Sequence, residues 1–198
     1  VLSLFTYKTL PYHPINDFTP ITAIADTILG ISASASFGPN SLREALEFAK
    51  KNPGKVSYGH TGVGGTTHLA MEQINQLAGT DMQHIPFKGG GPITISMVGG
   101  QLQLGVLPLA PVMQQAKAGK VRHLAIMDAK RSKAFPDVPS IAELGYPDAQ
   151  SQSWFGVVVH AKTPREITKR LSDEIEKVAR APDMAERLER AGAEAAPM

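Results

Sequence analysis

Between Lys55 and Met127, short β-prone runs alternate with helix-patterned runs, and this alternation constrains the fold more than any other feature. "KVSY", "MQHIPF", "QLQLGVL" and "VRHLAIM" read as strands. Helical patterns lie between them, from Thr67 to Leu77, Pro92 to Val98 and Pro108 to Lys117. In the first, Leu69, Ala70, Ile74 and Leu77 share a face. Strands alternating with helices argue for an α/β fold built on a parallel sheet. Upstream, "LPYHPINDFTP" reads as an extended segment and "ITAIADTILGIS" as one strand. Ser41 and Glu44 form a capping box for a helix that runs to Lys51 and stops at "NPG". Downstream, residues 128–152 form a long connection with one short helix, started by the Ser140–Glu143 box. "SWFGVVVH" is a strand. Thr163, Pro164 and Glu166 then start a helix as cap, first residue and third residue. Ile167, Leu171, Ile175 and Val178 mark its expected buried stripe. A last short helix begins near Asp183.

At 198 residues, 42% of them hydrophobic, the chain can bury a core as one domain or two small ones. Charged residues are 19% and the net charge is +2, too balanced for electrostatic nucleic-acid binding. No apolar run approaches the roughly 20 residues that span a bilayer. With no cysteine, disulfides, thiolate metal sites and cysteine nucleophiles are excluded. That composition fits an exported bacterial protein. The opening "VLSLFTYKTLPY" lacks a signal-peptide pattern and reads as a processed or shortened product.

In a parallel sheet, the loops that follow the strands gather on one edge, where α/β proteins bind ligands. Here those loops are "GHTGVGGT", "KGGG" and "LPLA". Glycine lets backbone N–H groups approach a ligand with no Cβ in the way. Each loop leads to a helix N-terminus, where free N–H groups and the helix dipole favour anions. Thr61, Thr66 and Thr67 add hydroxyls, and Lys88 adds a positive charge. The pattern suggests a small-anion site made mostly of neutral donors. Glycines also serve ordinary tight turns, but two such loops in successive βα units favour a site.

Other chemistries fit less well. The Gly59–Gly64 spacing resembles a Walker A loop, but Gly65 stands where its lysine is needed. The dinucleotide, G-x-S-x-G and H-E-x-x-H motifs are absent. His60 and His68 flank the glycine loop. A structural role for His68 is favoured over metal binding, His60 is placed to face a ligand, and His84 is expected to be structural. No catalytic residue, cofactor or metal is expected, because His60 and Thr61 have no orienting carboxylate close in sequence.

Several segments occur in order at family-like spacing: "LPYHPINDFTPIT", "NPGKVSYGHTGVGGTTHLAMEQ", "MQHIPFKGGGPI", "VGGQLQL", "AGKVRHLAI", "KRSKAFPDVPSIAELGYP", "SWFGVVV" and "TPREITKRLSDEI". Together they closely resemble the Bug, or TctC-like, family of extracytoplasmic solute receptors. These are the substrate-binding components of tripartite tricarboxylate transporters. The resemblance implies a type II periplasmic-binding-protein fold, two α/β domains closing over a ligand cleft, in the periplasm and without catalysis. It implies capture of a small organic acid for membrane transporter subunits, with no nucleic-acid partner. The alternatives are a sensor domain that delivers the acid to a membrane sensor kinase and an effector-binding domain of a regulator.

Carried over onto this sequence, the family's binding loops fall on His60, Thr61, Gly62, Gly64, Gly65, Thr66 and Thr67, and on Phe87, Lys88, Gly89 and Gly90. Phe87 replaces the usual tyrosine, and His60 stands where a small residue is more common. Leu107 and Pro108 occupy a position where some members carry an acid followed by asparagine, which disfavours a ligand amino group. The implied domains are 1–27 with 149–198, and 28–148. The family pattern's first strand, loop and helix have no match, so the first domain is expected to be incomplete. Core exposed in this way would drive oligomerisation.

Overall fold

The computed structural model describes residues 3–191 and 193–195. Residues 1, 2, 192 and 196–198, which the expected first domain includes, lie outside the described residues. The chain divides into two compact units: Ile28–Gln152, and the segments up to Thr27 and from Ser153 onward.

In the Ile28–Gln152 unit, the chain forms β2 (Leu29–Ser34), α2 (Leu42–Lys51), β3 (Ser57–His60), α3 (Thr66–Ala78) and β4 (Gln83–Pro86). Then come α4 (Gly90–Val98), β5 (Leu104–Pro108), α5 (Met113–Lys117) and β6 (Val121–Ile126). The strands make one sheet in the order β4-β3-β5-β2-β6. β3 pairs parallel with both β4 and β5, whereas β2 runs antiparallel to β5 and β6. The sheet is therefore mixed, not parallel as the alternation suggested. The reversed strand is the one that enters the unit directly, without a helical crossover before it.

β2 is buried at all six positions and β5 at four of five, as central strands covered on both faces should be. Gly30 sits where backbone and side chains crowd: an added Cβ would lie 2.7 Å from the Ala125 carbonyl oxygen and 2.6 Å from Leu109. β4 is an exposed edge and ends in Pro86, which a central strand would not tolerate. Under α2 and α3 the core contains Ile31, Tyr58, Met71, Ile74, Leu104 and Val106, each fully buried. Each buried Leu or Ile contributes about 1.5–3 kcal/mol over leaving it in water.

Local signals hold in several places. Ser41 Oγ accepts the Glu44 N–H at 3.2 Å, capping α2 as expected. α3 stops at Gly79 in the left-handed conformation, and Thr80 N–H returns to the Asn75 carbonyl. Elsewhere the structure differs from the sequence reading. The face of α3 that faces the sheet is Thr67, Ala70, Met71, Ile74 and Ala78, and Leu69 and Leu77 are exposed. The stripe is rotated because large apolar residues sit on both sides of it in sequence. The Ser140–Glu143 box forms reciprocally, at 3.2 Å in both directions, but closes only a turn. β5 takes up Pro108, so the expected Pro108–Lys117 helix becomes a 3₁₀ turn at Ala110–Val112 followed by α5.

The other unit contains α1 (Ser3–Thr6), β1 (Phe18–Thr27), β7 (Ser153–His160), α6 (Arg165–Ala179), α7 (Pro182–Ala191) and β8 (Ala193–Ala195). β1 lies between β7 and β8 and is antiparallel to both. "ITAIADTILGIS" is thus two strands, β1 and β2, that belong to different sheets. Pro164 is the cap of α6 rather than its first residue, because its ψ of 141° is extended.

Candidate functional site

Because β4, β3 and β5 are parallel neighbours, their C-terminal ends open on the same edge of the sheet. The loops after β3 and β4 meet there, and the Phe87 N–H donates to the His60 carbonyl at 2.9 Å. Gly62 (φ 145°), Gly64 (φ 72°) and Gly89 (φ 102°) take conformations that side chains rarely adopt. α3 begins after Gly65 and α4 after Gly89, and neither has a side-chain cap. The first N–H groups of both helices, Thr66, Thr67, Gly90 and Gly91, therefore have no intrahelical partner. Thr61 and Thr66 are exposed, as is Lys88, beside these helix starts.

Much of the glycine loop's hydrogen-bonding capacity is spent inside the loop. The Thr61 N–H and hydroxyl reach Thr67 Oγ1 at 3.2 and 3.0 Å. The Gly62 N–H reaches His60 Nδ1 at 3.2 Å, the Gly64 N–H reaches His68 Nδ1 at 3.1 Å, and the Gly65 N–H reaches the Gly62 carbonyl at 3.2 Å. Thr67 is buried and shapes the loop rather than lining a surface. Leu107 is fully buried with Ile93, Met97 and Leu102, so its side chain supports the site from below. Phe87 is half-buried against that same cluster. Gly90 lies over Leu107, 3.5 Å from where its Cβ would be.

His60 does not face outward. It is fully buried, and with His68 and His84 it forms a three-imidazole cluster. The strand register explains this. His84 pairs opposite Tyr58, two residues before His60, so all three side chains share one face of the sheet. α3 covers that face with His68 and Glu72, which lie four residues apart on one side of the helix. His60 and His68 stack at 4.4 Å between ring centroids, and His84 lies 5.4 and 4.6 Å from them. Burial, then the neighbouring imidazoles, hold His60 and His68 below the ordinary histidine range. The Tyr58 hydroxyl donates to the Glu72 carboxylate, and burial together with that bond pushes the phenol far up. His84 is exposed, not embedded among apolar neighbours as its sequence context suggested. Spacing alone could not reveal the cluster, because it depends on the register between β3 and β4.

The mixed α/β sheet with glycine-led helices at one edge, and the separate strand-and-helix unit, define a periplasmic-binding-protein fold. The solved structure of the periplasmic binding protein BugD superposes with a TM-score of 0.84 at 31% identity, covering 96% of this chain and 63% of BugD. R. palustris Rpa4515, solved with adipate, has a TM-score of 0.86 at 30% identity over 96% of this chain and 63% of its own. MatC (Rpa3494) from Rhodopseudomonas palustris, solved with bound malate, has a TM-score of 0.84 at 26% identity over 97% and 65%.

Residues 2–198 match the tripartite tricarboxylate transporter family receptor, TctC, and the chain belongs to that family. A UPF0065 protein from the tcbD–tcbE intergenic region of Pseudomonas sp. strain P51 is 32% identical over 195 residues. That match covers 97% of this chain and 57% of the relative, so the chain spans somewhat over half of that relative's length. Family and fold are those of solute-binding receptors, which are not enzymes.

Proposed function

We propose that this chain is the ligand-binding part of a periplasmic receptor that captures a small organic acid for a tripartite tricarboxylate-type transporter. The observation that carries this reading is the pair of uncapped, glycine-led helix N-termini, α3 and α4, side by side at one sheet edge with Lys88 nearby. Two helix starts supply four or more unpaired N–H donors, and their dipoles favour a carboxylate without a full counter-charge. The contacting residues are Thr61, Gly65, Thr66, Lys88, Gly89 and Gly90. Gly62, Gly64, Thr67, His60, Phe87 and Leu107 hold the loops in shape. Phe87 and Leu107 bring no hydroxyl or acid, which suits an acid with an apolar body and no amino group. Residues 28–152 serve as one lobe of the receptor, and the segments up to Thr27 and from Ser153 onward belong to the other. Membership of a receptor family, and the adipate and malate in two similar structures, support the reading.

Calorimetry with adipate, malate, citrate and benzoate tests it. At least one acid is expected to bind in a saturable way. Gly65→Val, whose side chain would press on the Gly62 carbonyl 3.2 Å from its Cβ, should abolish that binding. Lys88→Met should weaken it by about 1.5–3 kcal/mol, the worth of a charged hydrogen bond. Full affinity in both variants would move the site elsewhere.

A further inference from the structure

The imidazole cluster has a chemistry that anion capture does not use. His60, His68 and His84 each offer a ring nitrogen, and these nitrogens all lie within 4.8 Å of one another. His60 Nε2 and His84 Nδ1 are 3.3 Å apart. Two nitrogens bound tetrahedrally to one zinc at about 2.0–2.1 Å would stand about 3.3–3.4 Å apart. We propose that His60, His68 and His84 form a binding site for one divalent transition-metal ion of the zinc, nickel or copper class.

The donors suit that class. Imidazole nitrogen favours zinc, copper and nickel, whereas calcium and magnesium require oxygen ligands. His60 is already oriented as a ligand. In the tautomer protonated at Nδ1, His60 donates to the Gly62 carbonyl at 2.9 Å, gives up the Gly62 N–H as a partner, and keeps the Nε2 lone pair on the side of His84. His68 Nε2 is shielded from solvent and has no hydrogen-bond partner among the described residues, an unusual state for a buried polar atom that a metal would relieve. Ligation through that nitrogen moves the ring proton to Nδ1 and releases the Gly64 N–H into the glycine loop. Glu72 sits near enough to favour positive charge on both His60 and His68, and Tyr58 holds its carboxylate in place. It supplies the charge compensation that three neutral ligands lack. Glu72 and His84 also line an open groove of about 950 Å³ between α3 and β4, which gives an ion a path from solvent. A bare histidine cluster explains the stacking and the His60–His84 hydrogen bond, but leaves the orphaned His68 nitrogen without a role.

The full chain, stripped with EDTA, is titrated with Zn²⁺ alone by calorimetry and with Co²⁺ as a spectroscopic probe. One Zn²⁺ per chain is expected, with EDTA reversing it and Co²⁺ showing the intense visible bands of a tetrahedral site. His84→Ala is the decisive variant, because an exposed side chain can be removed with little effect on folding. It should weaken Zn²⁺ binding about tenfold or more, with the Co²⁺ bands lost. His60→Ser and His68→Gln should act in the same direction, and the His13→Asn/His160→Asn double variant should leave binding intact. Absence of saturable Zn²⁺ uptake, unchanged affinity in His84→Ala, or loss of binding in the His13/His160 variant would each overturn the proposal.

Discussion

The two units differ in how far they realise the apolar pattern of their sequence. Among the described residues, Ile28–Gln152 holds all three clusters of buried apolar side chains. Among the described residues of the other unit, the buried positions are Thr22 and four alanines: Ala23, Ala25, Ala179 and Ala193. α6 carries its apolar stripe as clearly as α2 does, yet Ile167 and Val178 are each 51% exposed. On β7, Trp154 (63% exposed) and Phe155 (58%) are also open. An amphipathic pattern designates a face for burial; only an opposing layer carries the burial out.

Truncations at the two kinds of face should separate them most. Ile74→Ala, in the filled core, should lower stability by about 2–5 kcal/mol in urea denaturation. Leu171→Ala on α6 should stay within about 0.5 kcal/mol, as an exposed substitution does. Equal losses at the two sites would break the contrast. Glycine substitution gives a smaller gap. A Cβ at Gly105 would lie 2.7 Å from Ile93 and 2.9 Å from Met97, both locked in the core, so Gly105→Ala should cost about 1–3 kcal/mol. A Cβ at Gly156 would meet the exposed Trp154 ring at 2.7 Å, which can swing aside, and the Thr22 carbonyl at 3.0 Å, which must give by only a few tenths of an ångström, so Gly156→Ala should cost less. Urea midpoints of both variants give the order, and a reversed order would show that the second unit is the more rigid.

A third test uses acid. His123 bonds Ser32 Oγ through Nδ1 at 2.9 Å in the filled unit, and burial lowers its pKa. The unfolded chain, near the ordinary value of about 6.5, then takes up the proton before the folded chain does. The stability due to neutral His123 is complete above that value and is lost as pH falls below it. His123→Gln should flatten the fall in urea midpoint between about pH 7 and pH 5, relative to the parent chain. An unchanged slope would show that His123 titrates alike in both states. The smallest stability effect is expected at the open face. Leu171→Lys should leave the urea midpoint nearly unmoved and reduce the fluorescence of a dye that binds apolar surface. An unchanged dye signal would place the accessible apolar surface elsewhere.

Local rules were enough to read much of the candidate site. The glycines of 62–65 and 89–90, placed between strand-like and helix-like runs, pointed to two helix N-termini at one sheet edge. That is where they lie, because β3, β4 and β5 follow the βα alternation that the sequence displays. The reversed direction of β2 was not readable. Its residues continue the apolar pattern of β1, and a period-two pattern carries no information about direction or sheet membership. The rotated face of α3 was missed for a related reason. Leu69 and Leu77 have the right spacing for a buried stripe, and so do Met71 and Ala78.

Sequence alone determined many of the chain's caps and turns. Ser41 capping α2, Gly79 ending α3 and the left-handed glycines of the candidate site's loops follow from steric and hydrogen-bonding rules a few residues long. Tertiary structure decided which apolar faces find a cover and which polar side chains meet. Leu107 went beneath the loops and Ile167 stayed in solvent, although both are apolar residues in regular elements. His60, His68 and His84 came together across two strands and a helix. Burial and clustering depend on the register and packing of segments far apart in the chain, and no local pattern encodes those distances.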